Sequence, residues 1–172
     1  MSSEQGSDIN ESARRYGRRG DWADSFALGV ATCLGIGRCP KAPGTVGSLV
    51  GIPVYLLFHV QPWGLRGLSL LAFVALAIWA SGRAMWLLGE RDPSCVVIDE
   101  VAGLVVALSW VEPRALSMVL GFALFRLFDI TKVPPLGWVE RRLAGGLAVV
   151  GDDLLAGLYA HVSLRLVMAM VG

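Results

Sequence analysis

The sequence is poor in charged residues and cysteines, and each shortage excludes a class of protein. Charged residues make up 17% of the 172-residue chain, whereas a soluble domain of this size carries roughly 25%. The three cysteines, Cys33, Cys39 and Cys95, are odd in number and lack metal-ligand spacing, which argues against a disulfide framework. The net charge of +1 provides no strongly basic surface, and no nucleic-acid partner is expected.

Hydrophobic residues, at 55% of the chain, occur in runs long enough to cross a bilayer. The longest run, Leu65–Leu88, exceeds the ~20 residues that a spanning helix needs. Further apolar runs are Val46–Val60, Val96–Val111, Ala115–Ile130 and Leu154–Val171. We therefore predict an all-α fold, a polytopic membrane bundle of four to five transmembrane helices, in which residues 46–60 either span the membrane or are re-entrant.

The first 21 residues form a polar segment rich in arginine, with no apolar stretch typical of a signal peptide. We predict a disordered cytoplasmic tail at residues 1–21 and a single helical domain at residues 22–172. Because positive residues concentrate on the cytoplasmic side of membrane proteins, the N-terminus is predicted to lie inside. The predicted helices, alternating outward and inward, are Gly47–Val60, Leu65–Leu88, Val97–Val111, Ala115–Phe128 and Asp153–Val171.

Acidic residues fall at one end of these predicted helices. Asp99 and Glu100 begin the third helix, Asp129 ends the fourth, and Asp152 and Asp153 begin the fifth. Carboxylates beside apolar spans are costly unless they are paired, hydrated or bound to a cation. An all-oxygen set suits Mg²⁺ better than Zn²⁺. Helix capping is the alternative role for the four acids at helix N-termini, although it does not cover Asp129 at a C-terminus.

The segment Pro40–Ser48 combines a predicted Pro-Gly turn with small and hydroxyl residues just before the first helix. A glycine-rich turn that opens a helix favours anions, because free N–H groups and the helix dipole both attract negative charge. A plain helix start is the alternative interpretation. The residues that would contact an anion here are Lys41, Gly44, Thr45, Gly47 and Ser48.

A glycine follows two of the acids at the same spacing. Gly103 lies four residues after Asp99, and Gly157 lies four residues after Asp153. A small residue at this spacing lets another helix approach on the face that carries the acid. Ordinary packing between membrane helices would explain the same pattern.

Four segments, in order, resemble the phosphatidylglycerophosphatase A family. They read PKAPGTVGS (Pro40–Ser48), DEVAG (Asp99–Gly103), FRLFDITKVPP (Phe125–Pro135) and DDLLAG (Asp152–Gly157). The likeness runs from about Ala31 to Tyr159. The family's K-P-x-P pattern appears here with one proline shifted, in the sequence that follows Lys132, which affects only the conformation of that loop.

The resemblance implies hydrolysis of phosphatidylglycerophosphate to phosphatidylglycerol and inorganic phosphate, with Mg²⁺ as cofactor. It implies a multi-pass protein of the bacterial inner (cytoplasmic) membrane whose active site faces the cytoplasm. The partner would be phospholipid substrate in the membrane, and homo-oligomerisation stays open. The nucleophile, water or an aspartate carboxylate, stays open as well.

Carried onto this sequence, the family motifs give two sets of site residues. The proposed metal ligands are Asp99, Glu100, Asp129, Asp152 and Asp153, which together with Lys132 form the catalytic set. The proposed phosphate-binding residues are Lys41, Gly44, Thr45, Gly47, Ser48 and Arg126.

Other functions match parts of the pattern less well. A transporter would carry its acids near the membrane midplane, a phospholipid synthase would need a longer aspartate array, and a scaffold would leave the acids unexplained. A cysteine phosphatase needs five residues between its Cys and Arg, but Cys33 and Arg38 have four between them. A histidine phosphatase needs paired histidines, and His59 and His161 both lie off the predicted acidic face.

Overall fold

The computed structural model describes residues 22–134 and 143–171, apart from the side chain of Val171, and these form six α-helices without a strand. The prediction of an all-α fold is therefore confirmed. The proposed tail at residues 1–21, and Pro135 of the third motif, lie outside the described residues. The helices are α1 (Trp22–Ala31), α2 (Pro43–His59), α3 (Trp63–Leu88), α4 (Ile98–Leu108), α5 (Ala115–Thr131) and α6 (Gly146–Val171).

Helix α4 forms the centre of the bundle and packs against α2, α3, α5 and α6. Nine of its 11 residues are buried, as expected for a helix that is apolar on every side. At 1.5 Å per residue it is about 16 Å long, roughly half the thickness of the hydrocarbon core. The predicted third helix, Val97–Val111, is thus too long, because Ser109 leaves the helical conformation and Trp110 has a positive φ of 55°.

Two helices among the described residues are long and apolar enough to cross a membrane. Helix α3 has 26 residues and contains an 18-residue window with a mean hydropathy of 1.7, and a window of the same length in the first 25 residues of α6 has a mean hydropathy of 1.3. Only 22% of the apolar window of α3 is buried in the protein. An apolar helix with that much free surface is typical of contact with lipid rather than of a soluble core. The number of crossings predicted from the sequence, four to five, is not established by these two helices.

Two helices begin a full turn or more before the positions that the sequence analysis predicted. Helix α2 starts at Pro43, where proline's fixed φ and missing N–H suit the first turn. The predicted Pro-Gly turn is therefore wrong, since it is the first turn of the helix itself. Helix α6 starts at Gly146, so Asp152 and Asp153 lie about two turns inside it. Capping cannot explain these two acids, because the unpaired N–H groups of a helix are in its first turn.

Helix α1 was not predicted from the sequence. Its residues Ala27 and Ala31, four positions apart, are fully buried, and the helix packs against α3. An ion pair of 2.6 Å between Arg83 and Asp24 fastens the two helices together. Helix α1 and the turn after it thus bring the chain to the start of α2.

Helices α4 and α6 cross closely at two glycines. A Cβ atom at Gly157 would collide with the carbonyl oxygen of Gly103, and a Cβ at Gly103 would lie 2.5 Å from Phe125 and 2.7 Å from the carbonyl oxygen of Asp153. The prediction that glycine at this spacing permits a helix to approach is confirmed. The crossing holds the acidic turns of α4 and α6 beside each other.

Candidate active site

A cavity of about 610 Å³ opens at the end of the bundle where α2 and α4 begin and where α5 ends. Helix α6 contributes the turn that contains its two aspartates. The cavity brings together most of the residues that the sequence analysis selected. Those that line it are Gly44, Thr45, Asp99, Glu100, Arg126, Asp129, Lys132, Asp152 and Asp153.

The acidic side chains of the cavity are largely withdrawn from solvent. Asp99, Asp152 and Asp153 are exposed by only 6%, 9% and 5%. The Oδ1 atom of Asp99 accepts a hydrogen bond of 3.0 Å from the backbone N–H of Glu100. Burying several carboxylates together is unfavourable without positive charge, because each loses hydration and repels the others.

Among residues 22–134 and 143–171, two carboxylate oxygens of this cluster have no hydrogen-bond partner. They are Oε2 of Glu100 and Oδ1 of Asp153, and both are buried, as is the unpaired Nε of Arg126. Buried polar atoms in proteins are nearly always satisfied by protein or by water. These atoms are therefore where a bound cation, water or phosphate would complete the contacts of the cavity.

Two cations in the cavity are each held by an acid of the same site. The Nη1 atom of Arg126 lies 2.5 Å from Oδ2 of Asp129, one turn further along α5. The Nζ atom of Lys132 lies 3.0 Å from Oδ2 of Asp152 on α6. Lys132 directly follows α5 in the left-handed conformation, with φ of 42°. The Lys132–Asp152 pair therefore links the end of α5 to α6.

The first turn of α2 approaches the acids closely at Gly44. A Cβ atom at this position would collide with Oε1 of Glu100 and lie 3.5 Å from Nη1 of Arg126. Only glycine therefore permits this approach. Helix geometry leaves the N–H groups of Gly44 and Thr45 without an intrahelical partner, at the positive end of the helix dipole.

Three of the predicted phosphate-binding residues do not line the cavity. Ser48 is fully buried, and its hydroxyl donates a hydrogen bond of 2.6 Å to the carbonyl oxygen of Gly44. Gly47 packs against Val97, because a Cβ atom added at Gly47 would lie only 2.6 Å from the Cβ of Val97. Lys41 is exposed. In this structure Gly47 and Ser48 hold α2 in place, and the contact with the cavity comes from Gly44 and Thr45.

The loop between α3 and α4 adds three polar residues to the cavity that the sequence analysis did not select. These are Arg91, Asp92 and Ser94. They belong to a short polar stretch between two apolar helices, on the same predicted side of the membrane as the acids. That position is the signal that could have identified them.

The residues of the cavity fit Mg²⁺, although they do not enclose a finished metal site. No three His, Cys, Asp or Glu side chains form a ready metal cluster within residues 22–134 and 143–171. Mg²⁺ commonly keeps several waters and binds through one or two carboxylates plus phosphate oxygens. The buried, unpaired oxygens of Glu100 and Asp153 are suitable oxygen ligands for such a hydrated ion.

Burial and the neighbouring acids both affect the pKa of a nearby thiol, that of Cys33. Burial, followed by the charges of Asp99 and Glu100, raises the pKa of Cys33 to about 11. The thiol is therefore protonated at neutral pH and is a poor nucleophile. All three cysteines are free, in agreement with the expectation that the chain has no disulfide framework.

The family model and two relatives of this chain indicate the same family. Residues 29–168 match the family model described as phosphatidylglycerophosphatase A. The chain is 31% identical to phosphatidylglycerophosphatase A of Escherichia coli K12 over 130 residues, which cover 75% of this chain and 76% of that protein. It is 33% identical to phosphatidylglycerophosphatase A of Haemophilus influenzae over 139 residues, or 77% and 83% of the two chains.

A third relative, from Bacteroides thetaiotaomicron, has a different described substrate. It is 36% identical over 153 residues, which cover 83% of this chain and 94% of that protein, and its assignment as a phosphatidylinositol-3-phosphatase is provisional. No solved structure matches the chain. The comparisons give no support to the transporter alternative. The chain belongs to the phosphatidylglycerophosphatase A family, as its four sequence motifs predicted.

Proposed function

We propose that this protein is a Mg²⁺-dependent lipid phosphatase that hydrolyses phosphatidylglycerophosphate to phosphatidylglycerol and inorganic phosphate. One observation carries the proposal: the five carboxylates selected from the sequence, the cations Arg126 and Lys132, and the positive end of α2 all line a single cavity. Cleavage of a phosphomonoester needs positive charge on the phosphate oxygens and an activated nucleophile, and this set of side chains supplies groups for both. The two relatives named phosphatidylglycerophosphatase A support this choice of substrate.

The phosphate group would lie between the first turn of α2 and the paired cations. The N–H groups of Gly44 and Thr45 would donate to its oxygens, and Arg126 and Lys132 would offset its charge. The acids of α4, α5 and α6 would hold Mg²⁺, which supplies positive charge and acidifies bound water when it is present. Whichever of Glu100 and Asp153 does not hold the ion would accept the proton of the attacking water.

We also propose that the cavity faces the cytoplasm in a protein that crosses the inner membrane several times. Helices α2 and α5, with 17 residues each, are about 25 Å long and nearly match the hydrocarbon core. Together with α3 and α6 they would give four crossing helices around the short central α4. The arginine-rich N-terminal segment precedes α1 and favours a cytoplasmic position for the same end of the bundle.

The experiment is an assay of phosphate release by the purified protein in detergent, with Mg²⁺ or with EDTA. We expect release from phosphatidylglycerophosphate in Mg²⁺ and none in EDTA. Phosphatidylinositol 3-phosphate serves as the competing substrate, because a relative with that assignment is 36% identical. Faster release from the inositol lipid would replace the proposed substrate, and no release from either lipid by folded protein would overturn the lipid phosphatase.

A further inference from the structure

The loop between α3 and α4 brings a cation to the cavity that the proposed chemistry has not used. Arg91 lines the cavity and is exposed to solvent. Across the part of the chain that the structure describes, Arg91 makes no ion pair, whereas Arg126 is held by Asp129 and Lys132 by Asp152. Its charge is therefore available to a ligand.

The backbone on both sides of Arg91 is fixed to the rest of the fold. Gly89, with φ of 70°, ends α3 and donates a hydrogen bond of 2.9 Å to the carbonyl oxygen of Met85. After Arg91, Pro93 is fully buried, and its carbonyl oxygen accepts a bond of 2.8 Å from Val96. A loop anchored this way fixes where the Arg91 side chain begins and so limits the positions that its guanidinium can reach.

The cavity is larger than the reacting phosphate requires. At about 610 Å³ it has the size of a site for a whole small molecule. Both lipids considered above carry a second anion, the phosphodiester that joins the headgroup to the glycerol backbone. Once the headgroup enters, this phosphodiester would lie near a cluster of carboxylates, and Asp92 on the rim adds another. An unpaired cation is needed to offset that repulsion.

We propose that Arg91 binds the phosphodiester of the substrate headgroup, while Arg126, Lys132 and the first turn of α2 bind the phosphomonoester. The inference rests on the proposed function. A guanidinium is suited to this task because its planar fork donates two parallel hydrogen bonds to phosphate oxygens. Arg91 thereby selects lipids that carry both a phosphomonoester and a phosphodiester.

The test compares Arg91→Ala with wild type in three measurements. We expect the KM for phosphatidylglycerophosphate to rise about 10- to 100-fold, the usual effect of losing a charged hydrogen bond, with little change in kcat. The inhibition constant of inorganic phosphate, which binds only the phosphomonoester subsite, should stay the same. Binding of short-chain phosphatidylglycerol, which retains only the phosphodiester, should weaken by a similar factor. Arg91→Lys should recover part of the loss.

Arg165→Ala is the matched control, because Arg165 is also exposed but lies with Trp110 away from the acidic cavity. It should change none of the three values. An unchanged KM in Arg91→Ala would overturn the role of Arg91. A loss of inhibition by inorganic phosphate as large as the rise in KM would also overturn it. If wild type releases no phosphate, the binding of short-chain phosphatidylglycerol still tests the role of Arg91. Weaker binding by Arg91→Ala than by wild type would support the phosphodiester site without the proposed reaction. Equal binding by the two proteins would refute the site.

Discussion

Replacing Gly44 by alanine should have different effects on the stability of α2 and on the arrangement of the cavity. Gly44 has a helical backbone, and alanine has less conformational freedom than glycine in the unfolded chain. An added methyl should therefore stabilise the helix by up to about 1 kcal/mol. The same methyl would collide with Oε1 of Glu100. Because this oxygen is at the end of a flexible side chain, it can rotate away and the protein should still fold.

The substitution should therefore lower the rate of the reaction and not the stability of the protein. To clear the methyl, the Glu100 carboxylate must move by about 1 Å, and a displacement of that size in an active site costs on the order of 100-fold in rate. We expect Gly44→Ala to keep its melting temperature within a few degrees or to raise it, while kcat/KM for the lipid falls on the order of 100-fold. The assays are thermal unfolding in detergent and phosphate release on the same preparation.

Gly64→Ala is the matched control for this substitution. Gly64 is likewise the second residue of its helix, α3, and no atom lies within 4 Å of a Cβ placed there. It should show the same small effect on stability and wild-type activity. If Gly44→Ala retained activity within about threefold of wild type, the close approach of α2 to Glu100 would have no part in the reaction.

Three further substitutions or labelling experiments probe other parts of the account. Asp129→Asn removes the negative charge that pairs with Arg126 and should lower kcat/KM about 10- to 100-fold in the phosphate-release assay without loss of fold; wild-type activity would contradict this role. Gly157→Ala should lower the free energy of unfolding by about 1–3 kcal/mol, because its methyl meets the backbone of Gly103, and an unchanged melting temperature would show that α4 and α6 do not cross there. Cys33, whose pKa is raised to about 11, should react with iodoacetamide at pH 8 on the order of 100-fold more slowly than an ordinary thiol, and faster as pH rises toward 11, because only the thiolate reacts. Site-resolved mass spectrometry measures that rate, and ordinary reactivity in the folded protein would contradict the raised pKa.

The sequence predicted which residues share the cavity better than it predicted where the helices begin and end. Acids beside apolar runs stand out by chemistry alone, and the glycine spacing after Asp99 and Asp153 correctly indicated a helix crossing. Helix ends were harder to predict. Residues 144–151 are apolar or small and carry no cap, so nothing marked Gly146 as the start of α6. Likewise, Pro43-Gly44 suits both a turn and a helix start, and only the packing of α2 on α4 decides between them.

Roles within the site depended on distances that a sequence does not contain. Gly44 and Gly47 look equivalent in the motif, yet one approaches Glu100 and the other packs on Val97. Arg91 belongs to none of the four motifs, and its position in a polar loop on the predicted side of the acids does not by itself show that it lines the cavity. The length of α4 was also hidden, because a buried core helix and a membrane-spanning one have the same apolar composition.

The central claim is that the gathered acids perform Mg²⁺-dependent hydrolysis, and Asp153→Asn tests it most directly. Asp153 is 5% exposed and has an unpaired carboxylate oxygen, so the neutral amide should leave stability equal or higher by relieving a buried charge. The measurement is phosphate release from phosphatidylglycerophosphate across a Mg²⁺ titration, with Glu112→Gln as the control at the other end of the bundle. We predict that Asp153→Asn stays folded and loses Mg²⁺-dependent release, while Glu112→Gln keeps it. Release by Asp153→Asn at the wild-type rate and Mg²⁺ dependence would contradict the claim.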